Sequence, residues 1–137
     1  TDSEVNHNNE MICYAFHSVP GVVKVGSYDG NGSTTDGPFV ECGFRPKFVI
    51  AKNNSGGSET NWFVKDAENA KFNPMGFTFY LNTSDARVNN FPIDFYSNGF
   101  KMKDDNALIN ESGSDYIYIA FAEAPTNNLF GGQANAR

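Results

Sequence analysis

The chain has 137 residues, enough for one domain with a real core, and a formal net charge of −6. That acidity argues against a nucleic-acid partner, which needs a basic face, and no apolar run reaches the length of a membrane-spanning helix. Neither nucleic acid nor membrane insertion is therefore expected, and the 13 Phe, 6 Tyr and single Trp among 13 Gly and 18 Asn suggest aromatic strands broken by turns.

The predicted elements run in short steps. Strand-like segments are Met11–Phe16, Val22–Tyr28, Pro38–Gly43, Lys47–Lys52, Trp62–Asp66, Phe77–Leu81, Ile93–Tyr96, Phe100–Lys103 and Asp115–Glu123. Turn residues separate nearly all of them: Pro20-Gly21, the run Asn53 to Gly57, Asn73-Pro74 and Asn98-Gly99. Asn98-Gly99 carries the firmest expectation, a type I′ hairpin over 95–101, with Phe95 and Phe100 inward. Only Asp66–Phe72 could hold a helical turn. About nine short strands predict an all-β fold, a two-layer antiparallel β-sandwich of jelly-roll or concanavalin-like form.

Residues 27–38, SYDGNGSTTDGP, allow three readings. A dinucleotide cradle fails, because Thr35 stands where the third glycine belongs and a strand, not a helix, follows. Calcium comes closer: Asp29, Asn31 and Ser33 alternate as in an EF-hand loop, with Asp36 nearby, but Thr34 and Val40 occupy its Gly and Glu positions. These four residues are the weak metal candidate. The preferred reading is a polar loop between strands, and no cofactor is expected.

Cys13 and Cys42 with two histidines cannot build a zinc site. Cys13, in an apolar strand, is expected as a buried thiol, and a Cys13–Cys42 disulfide stays open. His17-Ser18 lacks a nucleophile elbow, so His17 is expected to bond a loop carbonyl. The strands carry single acids (Glu41, Asp66, Asp94), and Asp104-Asp105 point to opposite sides, unlike the paired carboxylates of glycosidases. No catalytic residue is assigned. Arg45, held extended by Pro46, suits an ion pair or a clamp on a ligand carboxylate. Trp62 beside Asn61 is the best stacking ring, with Tyr80 as a second; Asn31 and Arg45 complete the ligand-binding candidates. The loops Asp29–Asp36, Asn53–Trp62 and Asp85–Asn90 are expected at one end of the fold. Tyr116 and Tyr118 share one strand face, either wet or packed against a neighbour, and Ile117, Ile119 and Phe121 share the other. Four N-x-S sequons, at Asn31, Asn53, Asn82 and Asn110, carry little weight in so Asn-rich a chain.

One pattern is internal. Val5-Asn6 matches Ile109-Asn110, and Ile12-Cys13-Tyr14-Ala15-Phe16 matches Ile117-Tyr118-Ile119-Ala120-Phe121, with Pro20 near the place of Pro125. The simplest meaning is a tandem module of about 105 residues. Residues 1–20 are then a terminal strand from a preceding repeat, and 21–137 a single module. The start at Thr1 fits a processed form or a piece of a longer chain.

The stretches CYAFHSVPGVVKVGSYDGNGSTTDGPFVECGFRPKFVIAK, IDFYSNGFKMK and YIYIAFAEAP, with a terminal ANAR, resemble a β-rich module of unknown function in marine bacteriophage virion and tail-fibre proteins. The sharpest points are F-H-S, G-S-Y-x-G-N-G-S, G-F-R-P and S-N-G-F-K; Val25, where an aromatic is usual, and the longer Asn53–Thr60 loop depart from it. Such modules often sit beside concanavalin A-like lectin or glucanase domains. The resemblance implies a non-enzymatic virion part, made in the host cytoplasm, acting in assembly or host-surface attachment. Its partners would be other virion subunits or copies of itself, or a host-surface glycan if the module is lectin-like. It carries over no catalytic residue.

Overall fold

The computed structural model describes residues 12–57 and 59–123. Eight strands form there: β1 (Val23–Asp29), β2 (Phe39–Glu41), β3 (Pro46–Asn53), β4 (Phe63–Asp66), β5 (Met75–Tyr80), β6 (Val88–Tyr96), β7 (Gly99–Met102) and β8 (Asp115–Ala122). No helix occurs among the described residues. The strands make one antiparallel sheet in the order β1-β8-β3-β4-β5-β6-β7-β2, nearly closed like a barrel. β3 to β7 are a meander; β8 returns between β3 and β1, and β2 lies beside β7.

The expected all-β class and eight of the nine expected strands are present, with shifted ends. The exception is Met11–Phe16: Ile12 to Ser18 form no strand, and Met11 lies outside the described residues. The layering also differs from a two-layer sandwich. Residues Met75 to Thr78 of β5 pair with β6, while Phe79 and Tyr80 pair with β4, so one bent strand joins what would be two sheets. Just before the change of partner, β5 and β6 shift register between Met75 and Phe77. An irregularity of this kind lets a strand turn from one neighbour to the next.

The 95–101 hairpin is formed, with Phe95 opposite Phe100 and both buried. Its turn is not type I′, however. Ser97 and Asn98 are the two loop residues, and neither has positive φ. Gly99 serves another purpose: a Cβ there would collide with the Val40 carbonyl of β2. The Asn-Gly signal thus marks a close strand approach.

The inner face of β8 also reverses a natural expectation. Tyr116, Tyr118, Ala120 and Ala122 point inward, whereas Ile117, Ile119 and Phe121 face out. Tyr28 stacks on Tyr116 (centroids 4.8 Å, planes 5° apart) and meets the Phe100 ring edge-on at 6.3 Å, tying edge strand β1 to β7. The segment after β7 plugs this end of the barrel with buried Leu108, Ile109 and Asn110. It also receives the tyrosine hydroxyls: Tyr28 donates to Ile109 O (2.9 Å) and Tyr116 to Ala107 O (2.8 Å). Burial is therefore not bought by leaving phenol oxygens dry.

The most unusual interior group is Lys65, fully buried on β4. It is two residues from buried Phe63, so strand alternation turns it into the barrel. Its Nζ, with at most three N–H to share, has five acceptors within reach: Thr78 Oγ1 (2.7 Å) and the carbonyls of Met75 (3.1 Å), Gly76 (3.4 Å), Asn90 (3.3 Å) and Phe91 (2.5 Å). These carbonyls belong to the irregular β5–β6 stretch, where Phe91 has φ of 60°. Burial pulls the Lys65 pKa down to about 7, partly opposed by the charge of Asp104.

Lys65→Met should leave this carbonyl cluster without a donor, costing about 3 kcal/mol and roughly 10 °C in melting temperature. Calorimetry of the two proteins checks this.

A pH dependence follows as well. Between about 7 and the ordinary amine value of 10.5 the unfolded chain holds a proton that folded Lys65 has shed, so stability rises with pH. Cys42, pushed up to about 12 by burial from an ordinary 9.0, works the other way, and stability falls as the unfolded thiol ionises. Denaturant titrations at a series of pH values should show stability rising from about pH 7 to 9, level where the two windows overlap, and falling above about pH 10.5. Lys65→Met should remove the rise and keep the fall.

Candidate functional site

Strand direction alternates along the sheet, so the loops after β1, β3, β5 and β7 gather at one end. All three loops expected to cluster do so by topology, although the third ends at Arg87, because Val88–Asn90 already belong to β6.

At that end Asn31 and Asn110 interlock. Asn110 Oδ1 accepts from Asn31 N (2.9 Å), and its Nδ2 faces Asn31 Oδ1 (3.2 Å), Ser33 O (3.1 Å) and Asp104 O (3.0 Å). Ser33 N also donates to Asn31 Oδ1 (3.0 Å), and Asp36 is ion-paired with Lys101 at 2.6 Å, which lowers the Asp36 pKa. Asn31 and Asp36 are thus engaged within the protein, while Asp29 is exposed. Among the described residues no group of three or more His, Cys, Asp or Glu could hold a metal ion. The loop's polar atoms fasten it to the plug.

The remaining candidates divide. Trp62 N donates to Asn82 Oδ1 (2.9 Å), and Asn82 Nδ2 donates to Asn61 Oδ1 (2.8 Å), so the amides beside the ring are paired with each other. The ring is half-buried, with Lys52 Nζ 5.7 Å from its centroid. It lines an apolar groove on the outer face of the sheet with Tyr14, Phe16, Ile50, Leu81 and Ile119. Tyr80 lies opposite buried Phe63 and packs against the core, so it does not share the Trp62 face. Arg45 sits at the other end, between β2 and β3, with Nε 3.1 Å from Glu123. Its ion-pair reading is the one the geometry carries.

Both cysteines are free thiols, so they are not bonded to each other. Cys42 is buried as a small apolar group, whereas Cys13 is exposed, contrary to expectation, because its segment joins no sheet. His17 Nδ1 lies 3.1 Å from the Ser18 carbonyl, as expected, and Ser18 Oγ bonds both N and O of Val25 instead of the imidazole. The hydroxyl stands in for a missing ladder partner along the edge of β1.

The features that sequence reasoning missed are Lys65 and the apolar groove. Phe63-Val64-Lys65 carried the first signal, since a residue two from an inward Phe is inward too. The second was hidden because its residues come from five separate segments.

Fold and surface together define a small barrel-like β-module with a filled interior. The chain belongs to the family described as "Domain of unknown function (DUF7483)", which matches residues 1–125. No curated protein and no solved structure matches the chain.

Asn110→Ala should cost about 2 kcal/mol, because it leaves the buried Asn31 N–H and neighbouring carbonyls unpaired. Hydrogen exchange should quicken at Asn31. A chelator should leave the melting temperature of the unaltered protein unchanged, since the loop is held by Asn110 and Lys101.

Proposed function

We propose that the chain is a non-enzymatic structural module of a bacteriophage particle, in a tail fibre or on the virion surface, working in assembly. The observation that carries this reading is the groove around Trp62. A sugar site would present a ring beside several free amides and carboxylates, whereas here the wall is apolar apart from Asn82, whose amide already bonds Trp62 N and Asn61 Oδ1. An exposed apolar strip of this kind suits another protein surface. The likeness to phage virion modules supports the setting, and the particle is the expected location.

Host-surface attachment through the loop end, with a neutral glycan as ligand, is the second reading. It is favoured by the gathering of four loops at one end and by the acidic surface. Weak single sites would then act through many copies.

Antibodies against the chain should label purified particles of the phage that encodes it, and mass spectrometry should find it there. Its absence from the particle would overturn the proposal. On a glycan array the multimerised chain should give no signal; binding that is lost in Trp62→Ala would favour the lectin-like reading instead.

A further inference from the structure

The segment Ile12 to His17 is the one stretch of described chain that carries a strand's sequence without a strand's partners. Ile12, Tyr14 and Phe16 are 83%, 79% and 51% exposed, and Cys13 and Ala15 on the alternate face are exposed too. From Ile12 to Ser18 no backbone group bonds another backbone group among the described residues. An extended apolar segment open on both faces and both edges is costly in water. A strap belonging to this barrel alone would be expected to bury one whole face. This one seats little more than Phe16, whose ring meets Phe121 at 6.4 Å.

The same segment resembles part of β8, with Ile, Ala and Phe identical at three of five aligned positions. Aligning Ile12–Phe16 with Ile117–Phe121 places Ile12, Tyr14 and Phe16 at the outward positions of β8. Cys13 and Ala15 take the positions of Tyr118 and Ala120, which face the barrel interior. Of the outward set, Phe16 and the edge of Tyr14 line the groove with Ile50, Trp62 and Ile119, while Ile12 stands in water. The inward set points into solvent. A segment with the β8 pattern that touches this module along part of its outer face and leaves its inner face bare lacks the barrel such a strand would close.

Building on the assembly reading, we infer that Ile12–Phe16 is the last strand of a preceding copy of this module, and that consecutive barrels dock through the outer faces of their β8 strands. The occupant of the apolar groove is then a second copy of the same fold. It is held there by a strand already covalently in place. The family match over residues 1–125 takes in both strands, so the competing reading is a strap that belongs to this module.

The test is a fusion in which residues 21–105 are placed directly ahead of residue 1 of the full chain. The added copy has β1 to β7 and no β8 of its own. It can close only by taking up Ile12–Phe16. The expected result is a second cooperative unfolding unit, resistance of the added copy to protease, and slowing of Cys13–His17 amide exchange by about a thousandfold relative to the unfused chain. A companion fusion carrying Met11→Tyr and Cys13→Tyr restores the inward tyrosines of β8, in case the smaller residues fit this particular copy poorly. Folding of either fusion with protected amides supports the proposal. A protease-sensitive added copy, with 13–17 exchanging freely in both fusions, would overturn it. The readout is folding alone, so that failure would leave the assembly reading to stand or fall on particle labelling.

Discussion

The side-chain nitrogen of Lys65 is the group on which the irregular part of the barrel's sheet depends. A sheet that curls on itself must bend one strand sharply, and β5 does so where it passes from β6 to β4. The ladder is irregular just before that passage: Met75 pairs with Ile93 and Phe77 with Asn89, so two steps on β5 face four on β6. Carbonyls in the gap lose their regular partners, and Pro92 has no N–H to offer. Lys65 reaches in from the neighbouring strand and gathers four of these carbonyls and the Thr78 hydroxyl. Burying a cation costs several kcal/mol, but leaving the carbonyls dry would also cost, and the flexible amine can meet more of them than any neutral side chain. Gly76 completes the arrangement, because a Cβ there would strike Asn89 Oδ1.

The same economy governs the loop end. Asparagine and aspartate side chains accept from the amide two residues on at Asn31, Asn53, Asp104 and Asn106. Each fixes a turn locally, without needing a helix or a ladder. Asn110 and the tyrosine hydroxyls then join these turns to one another across the barrel mouth. The high asparagine content is thus a building material of the loops. Two of the four N-x-S sequons fall on buried Asn53 and Asn110 and so belong to this internal bonding.

The sequence disclosed the strands well because period-2 alternation and Gly/Asn turns are local signals. Phe95, Phe100 and the 95–101 hairpin needed nothing beyond their neighbours. What it concealed were relations between distant segments. Whether the nine strands form two layers or one curled sheet depends on β5 pairing on both sides, which no local pattern records. On β8 the pattern misled by polarity: tyrosine looks like the wet face beside isoleucine, yet Tyr116 is inward because Ala107 and Glu111 meet its hydroxyl. Of the ligand candidates, Asn61 and Trp62 stayed together, Tyr80 turned inward, and Arg45 went to the opposite end. Adjacency along the chain kept the first two together, and strand alternation and direction separated the others.

These features bear on where a function can reside. The interior is spent: every buried side-chain nitrogen and oxygen among the described residues has a partner, so there is no orphaned polar group waiting for a ligand. The loop end is similarly self-bonded at Asn31, Asn61 and Asn82. The outer face of β8 and β3 is different: among the described residues its apolar groups meet Trp62, Leu81, and Tyr14 and Phe16 of a segment that forms no strand. Side chains of Ile, Trp and Leu gain nothing from water and can offer a sugar few hydrogen bonds, but they gain from a dry protein surface of matching shape. Its interior is filled and bonded, and its apolar strip lies on one outer face; these two features are what the proposed assembly role is built on.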